Sequence, residues 1–475
     1  LNQSLRFEVK VAGEDETEFN FAVTSEAAYS AAIDKYYTVS TGLDDTLDSL
    51  AAEDIEIQLL DDVKDDEGEG DIEAAESAVV RYANYLIEDA VSKRASDIHI
   101  NPYEKKMVLR YRVDGSLIEM TPPNISHKKA LTSRLKLLSG MNIIEKRRPQ
   151  DGRIKFKLLN GNEIDLRVAV VPSIWGENIV MRIINQASQS LMLSDLGMSP
   201  EQQAYLEKGL TAPYGMVLVT GPTGCGKTTT AYASIAQIND PHDNLMTVED
   251  PVEYRLPHII QIQVNPSADL TFANVLRSFL RQDPDVMFVG EIRDNETASI
   301  AIKAALTGHL VISTLHTNDA PATIMRLIDS GIDPIYVGSS VLVVVSQRLV
   351  RKICDNCKEP IKEVDYAKAK KGGIPARVLE GTQFYEGRGC TACHYTGFRE
   401  RIAAYEVLNV TNAVREAIFK KVSLNELKRV AWKQGMMTIR EAAISLMKQG
   451  KTTLEEVIRE TLQDKPLDEY DNLIK

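Results

Sequence analysis

The sequence predicts an α/β protein whose larger part contains a parallel β-sheet. Between residues 209 and 352, short apolar runs typical of buried strands alternate with segments of helical character. One of these runs, Met216–Thr220, leads into a glycine-rich turn, and a helix is predicted over Thr229–Ile238. With 475 residues the chain exceeds one ordinary hydrophobic core, so we expect about two to four domains.

The glycine-rich turn at residues 221–228 matches the pattern G-x-x-x-x-G-K-[ST] and is called the phosphate loop below. A strand before it and a helix after it would aim backbone N–H groups and the positive end of the helix dipole at phosphates. Lys227 would reach the β- and γ-phosphates, and the Thr228 hydroxyl would bind Mg²⁺. A chance turn is disfavoured by the flanking elements, so we predict that the chain binds ATP or a related triphosphate. The predicted ATP-binding residues are Gly221, Pro222, Thr223, Gly224, Cys225, Gly226, Lys227, Thr228 and Thr229.

Two predicted strands end in carboxylates that could serve this loop. Leu245–Val248 is followed by Glu249, and Val286–Gly290 is followed by Glu291. Carboxylates at the C-terminal ends of neighbouring parallel strands face the crevice where ligands bind. One could hold the Mg²⁺ shell while the other polarises the attacking water. The alternative for either residue is a solvated strand end.

A smaller α/β unit is predicted over residues 73–185, before the phosphate loop. A hairpin turn at Asn160-Gly161 separates two of its strands. Its predicted helices are Ala75–Lys93 and His127–Ser139, and its predicted strands are Asp97–Ile100, Met107–Val113, Arg153–Leu158, Glu163–Val171 and Asn178–Ile184.

Charge is concentrated near the N-terminus. The formal net charge is −13, and residues 41–76 hold fifteen acids against Lys64, which is −14 and leaves the remainder near +1. We predict an acidic linker there. A weak helix signal at Ser25–Tyr37 and a start at Leu1 suggest that residues 1–40 are the remnant of an N-terminal domain. The overall acidity argues against general nucleic-acid binding. No apolar stretch approaches the length that crosses a bilayer.

Four of the five cysteines form two C-x-x-C pairs, Cys354/Cys357 and Cys390/Cys393. Two such pairs can supply four ligands to one tetrahedral ion, and four thiolates favour Zn²⁺. A redox pair and unligated core cysteines are the alternatives. Glycines at 387, 389 and 397 suit tight turns around these pairs, and we expect His394 to be a bystander. Unpaired cysteines of this kind also indicate a reducing compartment, the cytoplasm.

His309 and His316 flank another buried strand and complete a set of motifs with the phosphate loop and the segments 247–254 and 280–294. With these motifs the chain resembles the secretion superfamily of hexameric ATPases, which drive type II secretion and type IV pilus assembly. The resemblance covers about residues 73–475. The segments 147–153 and 175–182 look closer to pilus extension motors than to secretion motors.

The resemblance implies a RecA-like P-loop NTPase domain, a PAS-like N-terminal domain, a zinc insert with four cysteine ligands and a helical C-terminal tail. It implies a homohexamer that hydrolyses ATP at domain interfaces and acts on a platform protein at the cytoplasmic face of the inner membrane. The implied domain limits are 1–40, 41–72, 73–185, 186–208, 209–352, 353–398 and 399–475.

The same resemblance implies roles for single residues. Glu249 would activate water, Glu291 would organise Mg²⁺ and the γ-phosphate, and His309 and His316 would sense the phosphate or link subunits. Arg167 and Arg182 would reach the nucleotide from the N-terminal domain, although a solvated or salt-bridged arginine is the alternative for each. The implied coupling or interface residues are Arg277, Arg281, Arg293 and Arg401.

Cys225 stands where the family usually has Ser. Because it lies at a helix N-terminus near Lys227, we expect it to have thiolate character. Three function classes are compatible with the sequence. They are an assembly motor (for pili or, second, for type II secretion), a DNA-translocating RecA-like ATPase, and a nucleotide-gated binding module without turnover.

Overall fold

The computed structural model describes residues 69–122, 127–184, 192–361 and 366–463. The predicted remnant at 1–40, its helix signal, and nearly all of the predicted acidic linker lie outside these residues. The described chain forms two units, here called the N-terminal unit (69–184) and the C-terminal unit (192–463). Within the described ranges, none of the helices has the length and apolar character needed to span a bilayer.

The N-terminal unit is a six-stranded antiparallel sheet covered by two helices. Its elements are α1 (Glu69–Ser92), β1 (Ala95–Pro102), β2 (Met107–Val113), β3 (Ser116–Met120), α2 (Lys128–Leu138), β4 (Gln150–Lys157), β5 (Glu163–Ser173) and β6 (Gly176–Ile184). The strand order is β3-β2-β1-β6-β5-β4. The predicted strands and helices are confirmed with shifted ends, and the turn at Asn160-Gly161 is confirmed by a hydrogen bond of 2.8 Å from Gly161 N to Leu158 O. Strand β3 was not predicted.

The two faces of this sheet differ because strand residues alternate between faces. One face packs against the helices, with Ile98, Tyr111, Leu166 and Met181 among its fully buried side chains. The other face carries a continuous register row of charged residues. Arg153 pairs with Arg167, Arg167 with Arg182, Arg182 with Asp97, and Asp97 with Arg112. These five residues are called the arginine row below.

The C-terminal unit is built on a seven-stranded sheet. Its strands are β7 (Gly215–Thr220), β8 (Leu245–Glu249), β9 (Ile260–Gln263), β10 (Val286–Val289), β11 (Leu310–Leu315), β12 (Val341–Ile353) and, after a separate two-stranded ribbon, β15 (Phe398–Asn409). They lie in the order β15-β12-β7-β11-β10-β8-β9. Neighbouring strands are parallel except β15, which runs antiparallel to β12. The predicted α/β class with a parallel sheet is therefore confirmed.

Strand β15 differs from the predicted helical character of residues 399–475. Strand β15 lies at the edge of the sheet. Only its second half is continuously buried, and residues 399–401 are exposed and charged. Its sequence therefore lacks the continuous apolar run that predicts a buried strand. Between Thr411 and Glu460 the chain is helical as predicted, with Thr411 itself capping the first of four helices.

Twelve α-helices follow the N-terminal unit in the described chain, and most begin at a side chain that caps the first turn. Asp294, Asp319, Ser423, Thr438 and Thr453 each accept a hydrogen bond from a backbone N–H in that turn. The helices longer than one turn are α3 (Pro200–Leu210), α4 (Lys227–Ile238), α5 (Phe272–Phe279), α6 (Asn295–Leu306), α7 (Ala320–Asp329), α8 (Pro334–Ser340), α9 (Tyr366–Lys371), α11 (Asn412–Phe419), α12 (Leu424–Lys433), α13 (Ile439–Lys448) and α14 (Leu454–Glu460), and α10 (Ala376–Leu379) is a single turn.

The cysteine-bearing insert leaves the sheet after β12 and returns at β15. It contains the two-stranded ribbon, β13 (Lys358–Pro360) and β14 (Tyr385–Gly387). Apolar side chains of its helices pack with α13 and α14 in one buried cluster. On β15, the buried Glu406 accepts hydrogen bonds from the backbone N–H of Ala320 at 2.7 Å and of Ile439 at 3.3 Å. One carboxylate thus meets the first residues of both α7 and α13.

Candidate active site

The phosphate loop joins β7 to α4, as its sequence predicts. Gly221, Gly224 and Gly226 have φ angles of 145°, 77° and 89°, which other residues adopt only with strain. Lys227 bends back over the loop, and its Nζ donates to the carbonyl oxygens of Gly221 at 2.9 Å and Pro222 at 3.0 Å. Burial lowers the pKa of Lys227, whereas the nearby Glu291 carboxylate acts in the opposite direction. Thr228 and Thr229 are exposed in the first turn of α4, where a ligand could reach them.

Gln347 on β12 holds the loop from behind. Its Nε2 donates to Cys225 O at 2.7 Å, and its Oε1 accepts from Thr230 Oγ1 at 2.8 Å. A side chain at Gly221 would collide with Gln347 O, since a Cβ there would lie 2.7 Å from it. We did not predict Gln347, because a neutral amide in an apolar strand carries no motif. It lies beside the loop only because β12 continues past the end of β7.

The expectation of thiolate character at Cys225 is wrong. The side chain is 3% exposed, and burial raises the pKa of the thiol despite the opposing influence of Lys227. Desolvation disfavours the charged form more than a nearby cation and the helix N-terminus favour it. Cys225 is therefore a small packing residue under the loop.

Glu249 ends β8 in a buried hydrogen-bond network. Its Oε1 accepts from Thr247 Oγ1 at 2.6 Å and from Gln261 Nε2 at 3.2 Å, and its Oε2 accepts from Tyr232 OH. The residue is 3% exposed. Three neutral donors thus compensate the buried carboxylate and fix its orientation toward the C-terminal edge of the sheet.

Glu291 follows β10, the strand next to β8, and is the more open of the two carboxylates. Its oxygens meet Arg293 and, at 3.4 Å, His316 Nε2. Arg293 also contacts Asp250 Oδ2 at 3.3 Å, and hydrogen bonding to Glu291 raises the pKa of Arg293. The structure therefore brings Lys227, Glu291, Arg293 and His316 together at the predicted edge of the sheet.

His309 lies at the other end of β11. Its carbonyl accepts from Gly215 N, the first residue of β7, at 3.1 Å, and its Nδ1 lies 3.0 Å from Ala304 O. Six strand residues separate it from His316, about 20 Å along a strand. His309 therefore does not meet the phosphate loop of its own chain.

The predicted arginines of the N-terminal unit face the C-terminal unit or lie close to that face. Arg167 Nη2 donates to Glu253 Oε2 at 3.0 Å, across the boundary between the two units. Arg182 Nε donates to Asp97 Oδ1 at 3.0 Å within its own unit.

The four predicted coupling arginines fall in different places. Arg401, on β15, reaches the phosphate loop, with Nη1 3.5 Å from Gly224 O. Arg277 pairs with Glu296, and Arg281 donates to Arg277 O at 2.9 Å, so both lie on the exposed surface of α5 and the residues that follow it. Arg293, by contrast, belongs to the carboxylate cluster described above.

The four predicted metal ligands converge. The sulfur atoms of Cys354, Cys357, Cys390 and Cys393 all lie within 4.8 Å of one another, a spacing that suits ligands of one tetrahedral ion. Gly387 and Gly397 touch backbone to backbone, since a Cβ at Gly387 would lie 2.0 Å from Gly397 O. His394 is not part of the cluster, as predicted. The cluster could hold a metal ion and leaves no protein ligand position open.

A phosphate loop, a parallel sheet and carboxylates at the ends of neighbouring strands define a P-loop ATPase. Comparison with known proteins narrows this class. The family described as "Type II/IV secretion system protein" matches residues 73–459, and the chain belongs to that family.

Two similar relatives carry different names. The type IV pilus assembly ATPase PilB of Myxococcus xanthus is 43% identical over 445 residues, which cover 93% of this chain and 78% of the relative. The type II secretion system protein E of Pseudomonas aeruginosa is 42% identical over 459 residues, which cover 97% of this chain and 88% of the relative. The crystal structure of the pilus retraction motor PilT with bound ADP is 28% identical with a TM-score of 0.52, and the match covers 79% of this chain and 96% of that one.

Proposed function

We propose that this chain is the ATP-driven motor that powers pilin polymerisation in type IV pilus assembly. The observation that carries the proposal is the placement of Glu291 and His316, 3.4 Å apart, beside the strand end that leads into the phosphate loop, in a chain similar over nearly its whole length to a pilus assembly ATPase. This family match favours an assembly motor over a DNA-translocating ATPase. Paired carboxylates beside the loop also favour turnover over a nucleotide-gated binding module.

In the proposed reaction, ATP binds with its phosphates on the loop. Lys227 leaves the carbonyls of Gly221 and Pro222 to contact the β- and γ-phosphates. Thr228 and Glu291 would hold Mg²⁺, which neutralises developing charge on the phosphates when bound. Water attacks the γ-phosphorus, the bond to the bridging oxygen breaks, and ADP and phosphate leave.

We assign activation of that water to Glu249. Its Oε1 already accepts from Thr247 and Gln261, whereas, among the described residues, Oε2 accepts only from Tyr232 and has a second acceptor position for water. Because the residue is buried, water would reach this oxygen beside the Tyr232 hydroxyl. Glu291, the more exposed carboxylate, is the alternative base, and His316 beside it would report the state of the γ-phosphate.

We further propose that the chain acts as a homohexamer. Arg167 and Arg182 would supply positive charge to the phosphates from the N-terminal unit, for which the resemblance implies a PAS-like fold. His309 lies away from the loop of its own chain, so a role between subunits suits it better than phosphate sensing. The exposed Arg277 and Arg281 are assigned to the same interface. Arg293, which contacts Glu291, and Arg401, which approaches Gly224 O, would couple the nucleotide site to the neighbouring elements. If subunits act together, mixing wild type with Lys227→Ala protein should depress turnover beyond simple dilution, and strictly proportional activity would argue against the ring.

The cysteine cluster is proposed to hold Zn²⁺ as a structural ion. Four sulfur donors that all lie within 4.8 Å of one another suit zinc better than magnesium or calcium, which prefer oxygen ligands. The proposed location is the cytoplasmic face of the inner membrane, where a platform protein would receive the motion. Peripheral association with the membrane suffices for this role.

Type II secretion is the second candidate, favoured by the 97% coverage in the match to the type II secretion protein of P. aeruginosa. A deletion strain separates the two candidates. Loss of surface pili with normal release of secreted enzymes would support the pilus motor, and the converse would support the secretion motor. Complementation with Lys227→Ala protein should fail in either case, because both functions need hydrolysis.

A further inference from the structure

We propose that Asp97 is a positioning residue that holds Arg182 in the orientation that meets the phosphates of ATP. This inference rests on the proposed function, because it extends the role given there to Arg182. It begins with the composition of the arginine row, in which four arginines and one acid lie in direct register across five strands. Like charges directly opposite each other on a sheet are destabilising. A row of this kind is therefore typical of a surface that receives an anion.

Asp97 is the acid of this row and lies between Arg182 and Arg112. It is 5% exposed, although it lies on the face of the sheet that carries the arginines. Its Oδ1 accepts from Arg182 Nε at 3.0 Å, and its Oδ2 accepts from Ser96 Oγ at 2.8 Å. Arg112 Nε lies 3.7 Å from Oδ2 on the other side. The carboxylate is thus buried beneath guanidinium groups and touches two of the four arginines.

The hydrogen bond to Asp97 leaves the terminal nitrogens of Arg182 accessible to a ligand. Only Nε is bonded to Asp97, and the side chain is 61% exposed. Among the residues that the structure describes, no hydrogen bond engages either terminal nitrogen of Arg182. The paired terminal N–H groups of an arginine are the ones that recognise phosphate oxygens in a bidentate manner. Asp97 therefore holds the Nε side of the Arg182 guanidinium group, while its two terminal nitrogens remain accessible.

The backbone around Asp97 is irregular. Ala95 pairs with Val113 and Asp97 pairs with Arg112, so Ser96 is an extra residue that forms a β-bulge in β1. Bulges occur next to active sites, where they re-aim a side chain. Here the bulge places the Ser96 hydroxyl on the same carboxylate that binds Arg182.

The test is a double-mutant cycle in the full chain, with hydrolysis of Mg-ATP as the readout. Asp97→Asn should lower kcat about 10- to 100-fold with a small change in KM, because a misplaced catalytic group loses rate rather than binding. In an Arg182→Ala background the same Asp97→Asn change should alter kcat by less than about twofold, since residues that act through one another are not additive. Asp97→Glu keeps the charge but moves it, so we expect an intermediate kcat with an unchanged melting temperature.

Glu177 provides a matched control for structural damage. It is an acid of the same unit whose side chain is largely buried, paired with Lys136 at 2.7 Å and outside the arginine row. Glu177→Gln should lower the melting temperature, and its effect on kcat should be the same with and without Arg182. An Asp97→Asn effect that multiplies fully with Arg182→Ala would overturn the positioning role. If Asp97→Asn fails to fold, an Asp97→Glu variant with wild-type kcat overturns it equally. Near-normal turnover in Arg182→Ala alone would instead refute the role of Arg182 on which the inference rests.

Discussion

Arg167 and Glu253 form an ion pair that crosses between the two units, with 3.0 Å from Arg167 Nη2 to Glu253 Oε2. Arg167 lies in the arginine row, whereas Glu253 follows the strand that ends in Glu249. The side chains are 26% and 36% exposed, so water and salt screen the pair and it contributes little to stability. The ion pair matters because it directs the Arg167 guanidinium group toward the C-terminal unit.

Replacing Arg167 should therefore impair turnover more than folding. We expect Arg167→Ala to lower kcat by at least about 10²-fold, because an arginine beside the γ-phosphate stabilises the transition state. Nucleotide affinity and melting temperature should change little. Glu253→Gln is the companion variant, since it removes the ion pair and keeps the arginine. If Glu253→Gln lost as much turnover as Arg167→Ala, the ion pair rather than the arginine would be the functional element.

Lys227→Ala should abolish hydrolysis while leaving the fold intact. The ammonium group donates to two loop carbonyls and is partly buried, so its removal deletes a cation without opening the core. ATP turnover and thermal unfolding, measured on the same preparation, would check this. A large fall in melting temperature would show that Lys227 shapes the loop itself.

Glu249→Gln should bind ATP and fail to turn it over. The amide is nearly isosteric, and its oxygen can still accept from Thr247 and Gln261, but it is a poor base. Single-turnover hydrolysis and binding of a labelled nucleotide separate the two effects. Glu291→Gln is the matched variant. Normal single-turnover rates in Glu249→Gln together with a loss in Glu291→Gln would move the base to Glu291.

Native Cys225 should resist alkylation. Its thiol is buried and its pKa is raised by burial, so the thiolate becomes populated only above the usual pKa of a cysteine. Labelling of the peptide that contains Cys225, followed by mass spectrometry at neutral pH and in urea, should show slow labelling in the first condition and fast labelling in the second. Fast labelling of the native protein would show that the loop opens, and Cys225→Ser would then serve as the control for inactivation by other thiols.

Removal of the metal should destabilise the insert and the helices packed on it. Elemental analysis should find about one zinc ion per chain. Chelation should lower the melting temperature because binding energy at such a site contributes to folding. Nucleotide binding should persist, since the phosphate loop lies outside the cluster. A protein that is fully folded and metal-free would contradict the assignment, and Cys393→Ser should reproduce the effect of the chelator.

Local sequence patterns predicted a large part of this architecture. The phosphate loop and the strand ends at Glu249 and Glu291 have short-range signals, because a turn and a strand end are encoded by neighbouring residues. The hairpin that starts β3 had a signal that we did not use: Asp114-Gly115, with φ angles of 48° and 86°, is a strong two-residue turn sequence.

Other features depend on pairing between distant segments. Gln347 lies more than a hundred residues from the loop that it holds, and Asp97 acquires its neighbours only through the register of β1 with β6 and β2. The burial of Cys225 likewise results from tertiary packing, which reverses the pKa shift expected from its local position. Sequence motifs predicted the candidate ligand-binding groups more readily than the groups that hold them in place.

Glu406 has a consequence for how force would pass through the molecule. A single buried carboxylate bonds to the first residue of α7, which follows the loop after His316, and to the first residue of α13, which packs on the insert. Breaking either bond would remove one donor from a buried carboxylate, which costs free energy, so separating the two helices is unfavourable. The contacts between the two units include partly exposed ion pairs, such as that of Arg167 with Glu253, and hydrogen bonds, such as that from Glu400 N to Asp114 Oδ2 at 3.0 Å. If the two units move relative to each other during turnover, we expect the exposed ion pairs at the boundary that Arg167 crosses to change before the buried contacts of Glu406 do.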